Sequence, residues 1–356
     1  MADMFDGISG LTLNIQEATQ DSDLIKVNPY LSPEITSVHG VQTGVKMDKY
    51  IPILGQLEDI GRVDPGNCGV NTYDGSFPVS EKQWAPKLYS ERIPLCVDDI
   101  PARLKFWRDQ NVASKRWENI GKPLEQYILD LTGLAVTRAI IRIAEFGDTA
   151  AAVVGSGGYL TAGSTAALFT GQNGMWKQIF TDGALPAPLI PRVEIDANAA
   201  ATKALQLTLA DDAAYQIFRK MTESMSPEAM ANNNGFQVTK TLWNNWVAFI
   251  EGKAGAYKPE LMQDGSSKNT FRGYPVIVRN DWDRLIKKYH DLGTTYYLPH
   301  RATFGDINNI PVGTSDTESF NALDVFYDKV TKKVYIDVAW MQDCKILLEN
   351  NMVVAY

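Results

Sequence analysis

Residues 121–147, GKPLEQYILDLTGLAVTRAIIRIAEFG, constrain this chain more than any other stretch. Pro123 stands near the first helical turn, where its missing N–H is tolerated, and Gly147 stands where a helix stops. Leu124, Tyr127, Ile128, Leu131, Leu134 and Ala135 recur at helical spacing and predict one apolar face. A helix over 122–147, rising about 1.5 Å per residue, is a rod of roughly 37 Å. Such a rod is a spine around which other elements must pack. Gly133 inside it forgoes about 1 kcal/mol relative to alanine, which predicts the close approach of another backbone.

What precedes the spine does not look like a core. Residues 1–50 are polar with scattered apolar positions and predict an extended arm unable to fold alone. Residues 51–97 are dense in Gly, Pro, Asn and Asp, as in RVDPGNCGVNTYDGSFPVSEKQWAPKLYSERIPL. The alternating pieces Phe77–Val79 and Leu88-Ser90-Arg92 predict a long hairpin. Loop-like stretches of this length are uncommon inside compact domains, so its expected partner is another chain. A short helical piece follows around 98–110.

Beyond the spine, TAAAVVGSGGYLTAGSTAALFTGQNG reads as a linker or loop. PRVEID reads as a strand, with Asp196 placed to cap the helical region after it. DDAAYQIFRKMTESM predicts a helix burying Ala214, Ile217, Phe218 and Met221 and ending before Pro227. GFQVTKTLWNNWVAFIEG predicts a strand through Val238, then a helix carrying Trp243, Trp246, Val247 and Ile250. In NTFRGYPVIVRNDWDRL, Gly273 and Pro275 punctuate the entry to a buried strand, Val276 to Val278. Asp281 reads as a helix cap and Trp282 as a packing anchor. At the C-terminus Val334, Ile336, Val338 and Trp340 alternate with Tyr335, Asp337 and Ala339. Asp328 to Lys333 supplies a hairpin turn, and CKILLENNMVVAY repeats the strand pattern around ENN, so three strands close the chain.

Composition narrows the function classes. The 356 residues are 45% hydrophobic and 21% charged, ordinary for a soluble globular chain. A net charge of −8, with no cluster of five or more Lys/Arg, argues against tight direct DNA binding. Cys68, Cys96 and Cys344 are odd in number and far apart, which predicts neither a disulfide framework nor a zinc site and favours a reducing compartment. MADMFDGISG lacks the apolar region of a signal peptide, and no run of eighteen apolar residues predicts a spanning helix. The expectation is a soluble intracellular product.

Catalytic signatures are missing from the sequence. It has no Walker-type loop, no G-x-G-x-x-G after a strand, no G-x-S-x-G and no H-E-x-x-H. His39, His290 and His300 are too few for a histidine-rich metal site, and the last two read as ordinary polar residues. Gly155 to Gly158, GSGG, lacks the Lys-Ser/Thr of a phosphate loop and reads as a turn. Asp211-Asp212 and the pair Asp281/Asp283 read as solvated or capping carboxylates before metal ligands. Lys332 and Lys333 read as turn residues. Trp84, Trp107, Trp117, Trp176 and Trp340 read as packing anchors. No catalytic, cofactor-binding or metal residue is assigned, and no cofactor is expected. An enzyme would have to use Asp281 and Asp283 with one of the histidines. A rod, a long hairpin and an arm point to assembly, because ordering such segments costs entropy that burial against neighbouring chains offsets.

The order of these parts resembles the major capsid proteins of tailed bacteriophages, with the Hong Kong 97-like fold that encapsulin shells share. FRGYPVIVRNDWD resembles the start of a strand in that family's axial domain. HRATFGDINNIPVGT resembles the loop-and-strand region nearby, and KVYIDVAWMQDCKILLENNMVVAY resembles the closing strands of the peripheral domain. EKQWAPKLYSERIPLC also resembles capsid proteins of phages infecting gut Bacteroidetes-type bacteria. The resemblance implies an α+β chain. Its parts would be an N-terminal arm (1–54), an extended loop (55–97), a peripheral domain (98–195) with the spine helix (122–147), an axial domain (196–318), and C-terminal strands (319–356) returning to the peripheral domain. It implies hexamers and pentamers tiling an icosahedral shell around double-stranded DNA held non-specifically. Portal, scaffold and cement proteins would be partners, with no membrane involved. The location would be the virion, with the host cytoplasm during assembly. The Lys and Asn side chains that crosslink some relatives have no matching positions here. The arm is too short and too non-helical for a cleaved scaffolding segment, so scaffold would be separate or already trimmed. The implied alternative within the fold is an encapsulin-type shell around cargo protein.

Overall fold

The computed structural model describes residues 29–46, 50–54, 79–96, 124–252, 269–315, 324–328, 330–331 and 333–356. Cys68, Trp107, Trp117, Lys332, the helical piece expected at 98–110 and most of the expected arm and extended loop lie outside these residues.

Three sheets organise the described residues. Strands β1 (Val41–Gln42), β2 (Tyr50–Leu54), β3 (Val79–Gln83) and β4 (Lys87–Cys96) precede the spine helix α1 (Leu124–Phe146). Then come α2 (Met175–Gly183), β5 (Arg192–Val193), α3 (Ala213–Ser224), β6 (Asn234–Val238) and α4 (Lys240–Gly252). They are followed by β7 (Thr270–Phe271), β8 (Tyr274–Val278), α5 (Asn280–Tyr289), β9 (Ala302–Asp306) and β10 (Val312–Gly313). The chain closes with β11 (Asp324–Asp328), β12 (Lys333–Cys344) and β13 (Met352–Ala355). A six-stranded sheet runs β5-β13-β9-β6-β8-β7, a second runs β1-β10-β12-β11 with β4 also on β12, and β2 pairs only β3.

The closing strands divide between two sheets. β11 and β12 form the predicted hairpin, with Asp328 opposite Lys333. Along β12 the predicted alternation holds where side chains are described: Ile336, Val338 and Trp340 are buried. β13 instead enters the six-stranded sheet between β5 and β9. Its four residues are all buried because the sheet is covered on both faces. Met352 and Val354 join a core with α1, α2 and α5, while Val353 and Ala355 join a second core with α3 and α4.

The extended segment needs correction. The ten residues of β4 pair antiparallel with β12 of the same chain, from Lys87 opposite Gln342 to Cys96 opposite Lys333. Tyr89 stacks on Trp340 directly across the ladder, centroids 5.7 Å apart. At 87–96, therefore, the partner is internal. The alternation there places Tyr89 and Ile93 against the core and leaves Leu88 69% exposed.

In α1 the buried face differs from the predicted one. Val136, Ala139, Ile140, Ile143 and Ala144 are buried, whereas Leu131 is 48% exposed and Ala135 lies at the surface. The second half of the helix is packed on nearly all sides, so a pattern read from the first half points elsewhere; the side chains of 124–130, including Leu124, Tyr127 and Ile128, lie outside the described residues. Gly133 has nothing within 4 Å of where a Cβ would stand. The close approach is at Gly147, where a Cβ would meet the carbonyl oxygens of Gln172 at 2.5 Å and Ile143 at 2.6 Å. Gly147 is not left-handed; it is small because two backbones pass it. Gly147→Ala is expected to cost about 1–3 kcal/mol as overpacking against backbone. Gly133→Ala is expected to stabilise by up to about 1 kcal/mol through helix propensity. Urea denaturation of both variants checks this, and equal shifts would contradict it.

The α3 face is as predicted, with Ala214, Ile217, Phe218 and Met221 buried. In α4 the buried residues are Leu242 and Trp246, with Trp243 and Ile250 partly covered. PRVEID contributes only the two residues of β5 before a 3-10 turn that begins at Asp196. GSGG forms a tight turn, with Gly157 left-handed at φ 78°.

Candidate functional site

The stretch 269–283 builds the most densely bonded polar cluster. Arg272 and Gly273 both have positive φ, at 50° and 88°, and close a two-residue hairpin between β7 and β8. β8 then lies parallel to β6, and the Arg279 N–H donates to the Val238 carbonyl at 2.8 Å. Of the predicted buried run only Val276 is fully buried; Ile277 and Val278 are partly exposed. This path delivers Arg279, the residue preceding α5, to the seam between the two cores.

Arg279 is 3% exposed and makes four hydrogen bonds to three side chains. Its guanidinium donates to Glu145 at the end of α1 and to Gln237 on β6. It also donates through Nε to Asp281 Oδ1 at 3.0 Å and through Nη2 to Asp281 Oδ2 at 2.5 Å. Glu145, fully buried, also accepts from Trp282 Nε1 at 2.6 Å and contacts His39 Nε2 at 3.1 Å. His39 Nδ1 lies 3.1 Å from the Ile310 carbonyl. Gln237 Nε2 donates to the Val38 carbonyl at 2.9 Å. One cluster thus ties the segment before β1, the end of α1, β6 and the start of α5.

Burial pulls the Arg279 pKa down, but Glu145 and then Asp281 outweigh it and hold the guanidinium above its ordinary value. Burial pushes the Asp281 carboxyl up, and Arg279 outweighs that to leave it below the usual carboxylate range. Asp281 is therefore an ion-pair partner, not the predicted cap. Capping falls to Asp283, whose Oδ2 accepts the Lys240 N–H at the start of α4 at 2.7 Å. Trp282 is the anchor expected, at 0% exposure against Trp176, and Trp84, Trp176 and Trp340 are buried as well.

His290 and His300 are both buried. His290 Nδ1 faces Arg301 Nη2 at 3.2 Å, and His300 bridges Thr241 Oγ1 at 2.7 Å and the Gln206 carbonyl at 2.6 Å. Among the described residues neither is hydrogen-bonded to Asp281 or Asp283, so the carboxylate pair and the histidines are not brought into one acid–base set. No group of three or more His, Cys, Asp or Glu among the described residues could hold a metal ion, and no described helix is long and apolar enough to cross a membrane. Asp212 precedes α3 and accepts from Gln216 Nε2 at 2.9 Å. Lys333 opens β12 at the predicted turn. Cys344 is a buried free thiol, and burial pushes its pKa up.

A pH dependence follows from His290 and His300, two of the three buried histidines. Burial lowers both pKa values, aided at His290 by Arg301 and opposed at His300 by its bond to Gln206. Below about pH 6.5 the unfolded chain binds protons at these rings that the folded chain refuses. Their contribution is complete above that pH and is lost as pH falls toward the folded values. The depressed Asp281 adds a second loss, beginning only near about pH 4. The urea midpoint is expected to fall between pH 7.5 and pH 5.5, and a flat profile there would contradict the burial of both imidazoles.

Glu145, Arg279 and Gln237 were not singled out from sequence, and His39 was considered only as a metal ligand or an acid–base group. The available signal was a charge set in an apolar run: Glu145 in IIRIAEFG and Arg279 at the end of YPVIVR.

No family model matches the sequence, and no curated protein matches it. Solved structures do. A chain of the structure described as "Satellite phage P4 procapsid including size determination (Sid) protein" matches at 10% identity over 97% of this chain and 98% of that one, TM-score 0.51. A chain of "Mycobacterium phage Ogopogo" matches at 13% identity over 91% of each, TM-score 0.49. One from "Capsid of native GTA particle computed with C5 symmetry" matches at 12% identity over 90% and 89%, TM-score 0.49. The first likeness, end to end in both chains, shows a shared fold: this is an α+β chain with a phage-capsid fold.

Proposed function

We propose that this chain is a major capsid protein of a tailed bacteriophage with the Hong Kong 97-like fold, assembling as hexamers and pentamers into an icosahedral shell around double-stranded DNA. The observation that carries this reading is the likeness to the procapsid chain over 97% of this chain and 98% of that one. On this reading α1 is the spine of a peripheral domain together with β11 and β12, and the six-stranded sheet belongs to an axial domain that includes β13. Residues 55–97 are the extended loop and residues 1–54 the arm. The role is structural, not enzymatic.

Two features support assembly. Among the described residues β4 pairs on one side only, leaving an edge ten residues long, a length that monomers usually blunt or cover. Leu88 on that strand is 69% exposed and Leu131 on the spine is 48% exposed. The net charge of −8 suits a wall that encloses DNA without adhering to it. Portal, scaffold and cement proteins are the expected partners, first in the host cytoplasm and then in the virion.

The test is assembly. The full chain is expressed with and without its phage's scaffold and examined by electron microscopy and sedimentation. Closed shells are the expected result. A chain that stays monomeric at high concentration under both conditions would overturn the proposal, and shells loaded with cargo protein would favour the encapsulin-type alternative.

A further inference from the structure

Beside the Glu145–Arg279 cluster, but separate from it, lies a cavity of about 150 Å³. It sits where the end of α1, the start of α2 and the segment after α5 meet. Its lining includes Arg301, which is fully buried and forms no salt bridge among the described residues. The guanidinium is held in place instead by aromatic rings. Trp176, Phe146, Phe180 and Tyr297 have their ring centres 5.0, 5.2, 5.4 and 5.8 Å from it. Its Nε donates to the Leu298 carbonyl at 2.9 Å, and its Nη2 donates to the Tyr297 carbonyl at 3.2 Å. Nη1 is buried with no hydrogen-bond partner among the described residues.

Two more donors on the same lining share that condition. Arginine only donates, so His290 Nδ1, 3.2 Å from Arg301 Nη2, must accept. The ring proton of the neutral imidazole then sits on Nε2, which is buried and unpartnered among the described residues. Trp176 Nε1 is likewise buried and unpartnered. The lining also carries Asp148 and Lys177, which pair with each other at 3.1 Å, and Asp148 accepts from the Tyr159 hydroxyl at 3.1 Å. Burial lowers the Arg301 pKa to about 10, so it is still a cation at neutral pH.

Three buried N–H donors, one of them charged, thus belong to side chains that line an aromatic-walled cavity, and none of the three has an acceptor among the described residues. Native folds leave few such groups, and those that remain call for an explanation. Cavities of about this volume hold a benzene-sized body. We propose that this cavity binds a small free carboxylate carried on a flat apolar body, its oxygens taken by Arg301, His290 and Trp176 and its body held among the rings. This inference is independent of the shell reading, because the cavity is formed within one chain.

Benzoate titrated into the purified full-length chain by calorimetry, in whatever assembly state it adopts, is the direct probe. Saturable binding with one site per chain is expected, accompanied by a rise in thermal midpoint that grows with benzoate concentration. Benzyl alcohol, with the same ring and no charge, is expected to bind at least tenfold more weakly. Arg301 variants risk misfolding, so the variant of choice is Trp176→Phe, which keeps an aromatic ring on the wall and deletes one donor. Its affinity is expected to fall several-fold for benzoate, and by less for benzyl alcohol. No saturable benzoate binding to the wild-type chain would overturn the proposal. So would benzoate and benzyl alcohol binding equally well, since the cavity would then be apolar space without anion recognition.

Discussion

Glu145→Gln is expected to lower the unfolding free energy by about 3–5 kcal/mol, the usual cost of breaking a buried ion pair from one side. The carboxylate is fully buried and takes donors from Arg279, Trp282 and His39. An amide of the same shape keeps one acceptor oxygen. It turns the other position into a donor, facing groups that can only donate. Arg279, itself 3% exposed, then keeps Asp281 as its remaining carboxylate partner. Two comparisons separate loss of the pair from loss of packing. Glu145→Leu with Arg279→Met removes both charges and is expected to recover much of the stability lost in Glu145→Gln, as buried pairs often tolerate joint apolar replacement. Arg279→Met alone is expected to be severe, because it strands Glu145. Equilibrium denaturation of the four proteins makes the measurement. A Glu145→Gln loss below about 1 kcal/mol would mean that the cluster is wetter than its burial implies.

What the sequence disclosed followed from locality. The α3 face was legible because Ala214, Ile217, Phe218 and Met221 lie within three turns of one helix. The β11–β12 hairpin was legible because Asp328 and Lys333 are neighbours in sequence as well as in space. The β13 run MVVA was harder, since a strand buried on both faces loses the alternation that marks a strand. The internal partner of β4 was invisible, because about 245 residues separate Arg92 from Asp337 opposite it. The buried cluster failed for the same reason. His39, Glu145, Gln237 and Arg279 come from four distant segments, and each alone reads as a surface group. Asp281 was noticed but given a local role as a cap, when its partner was the arginine two positions earlier.

Trp282→Ala carries the other large expected effect, about 3–5 kcal/mol for truncating a fully buried tryptophan. Two contributions add in this side chain, and they can be measured apart. The ring packs edge-on against Trp176, centroids 5.1 Å apart, and lies under the Arg279 guanidinium at 4.8 Å. Trp282→Phe keeps most of that packing and removes only the N–H that Glu145 accepts at 2.6 Å. It is expected to cost about 1–3 kcal/mol, the penalty for leaving a buried acceptor short of a donor. If the hydrogen bond is the reason for that cost, Trp282→Phe should add little once Glu145 is already glutamine, and a double-mutant cycle reads the coupling directly. Additive losses would assign Trp282 to packing alone. The consequence for assembly follows from position: Trp282 stands on α5 at the seam between the two cores, so Trp282→Phe subunits should fold yet hold the cores less firmly. On the capsid reading such subunits yield fewer closed shells than wild type at equal concentration, counted by electron microscopy, and equal yields would separate the seam from assembly.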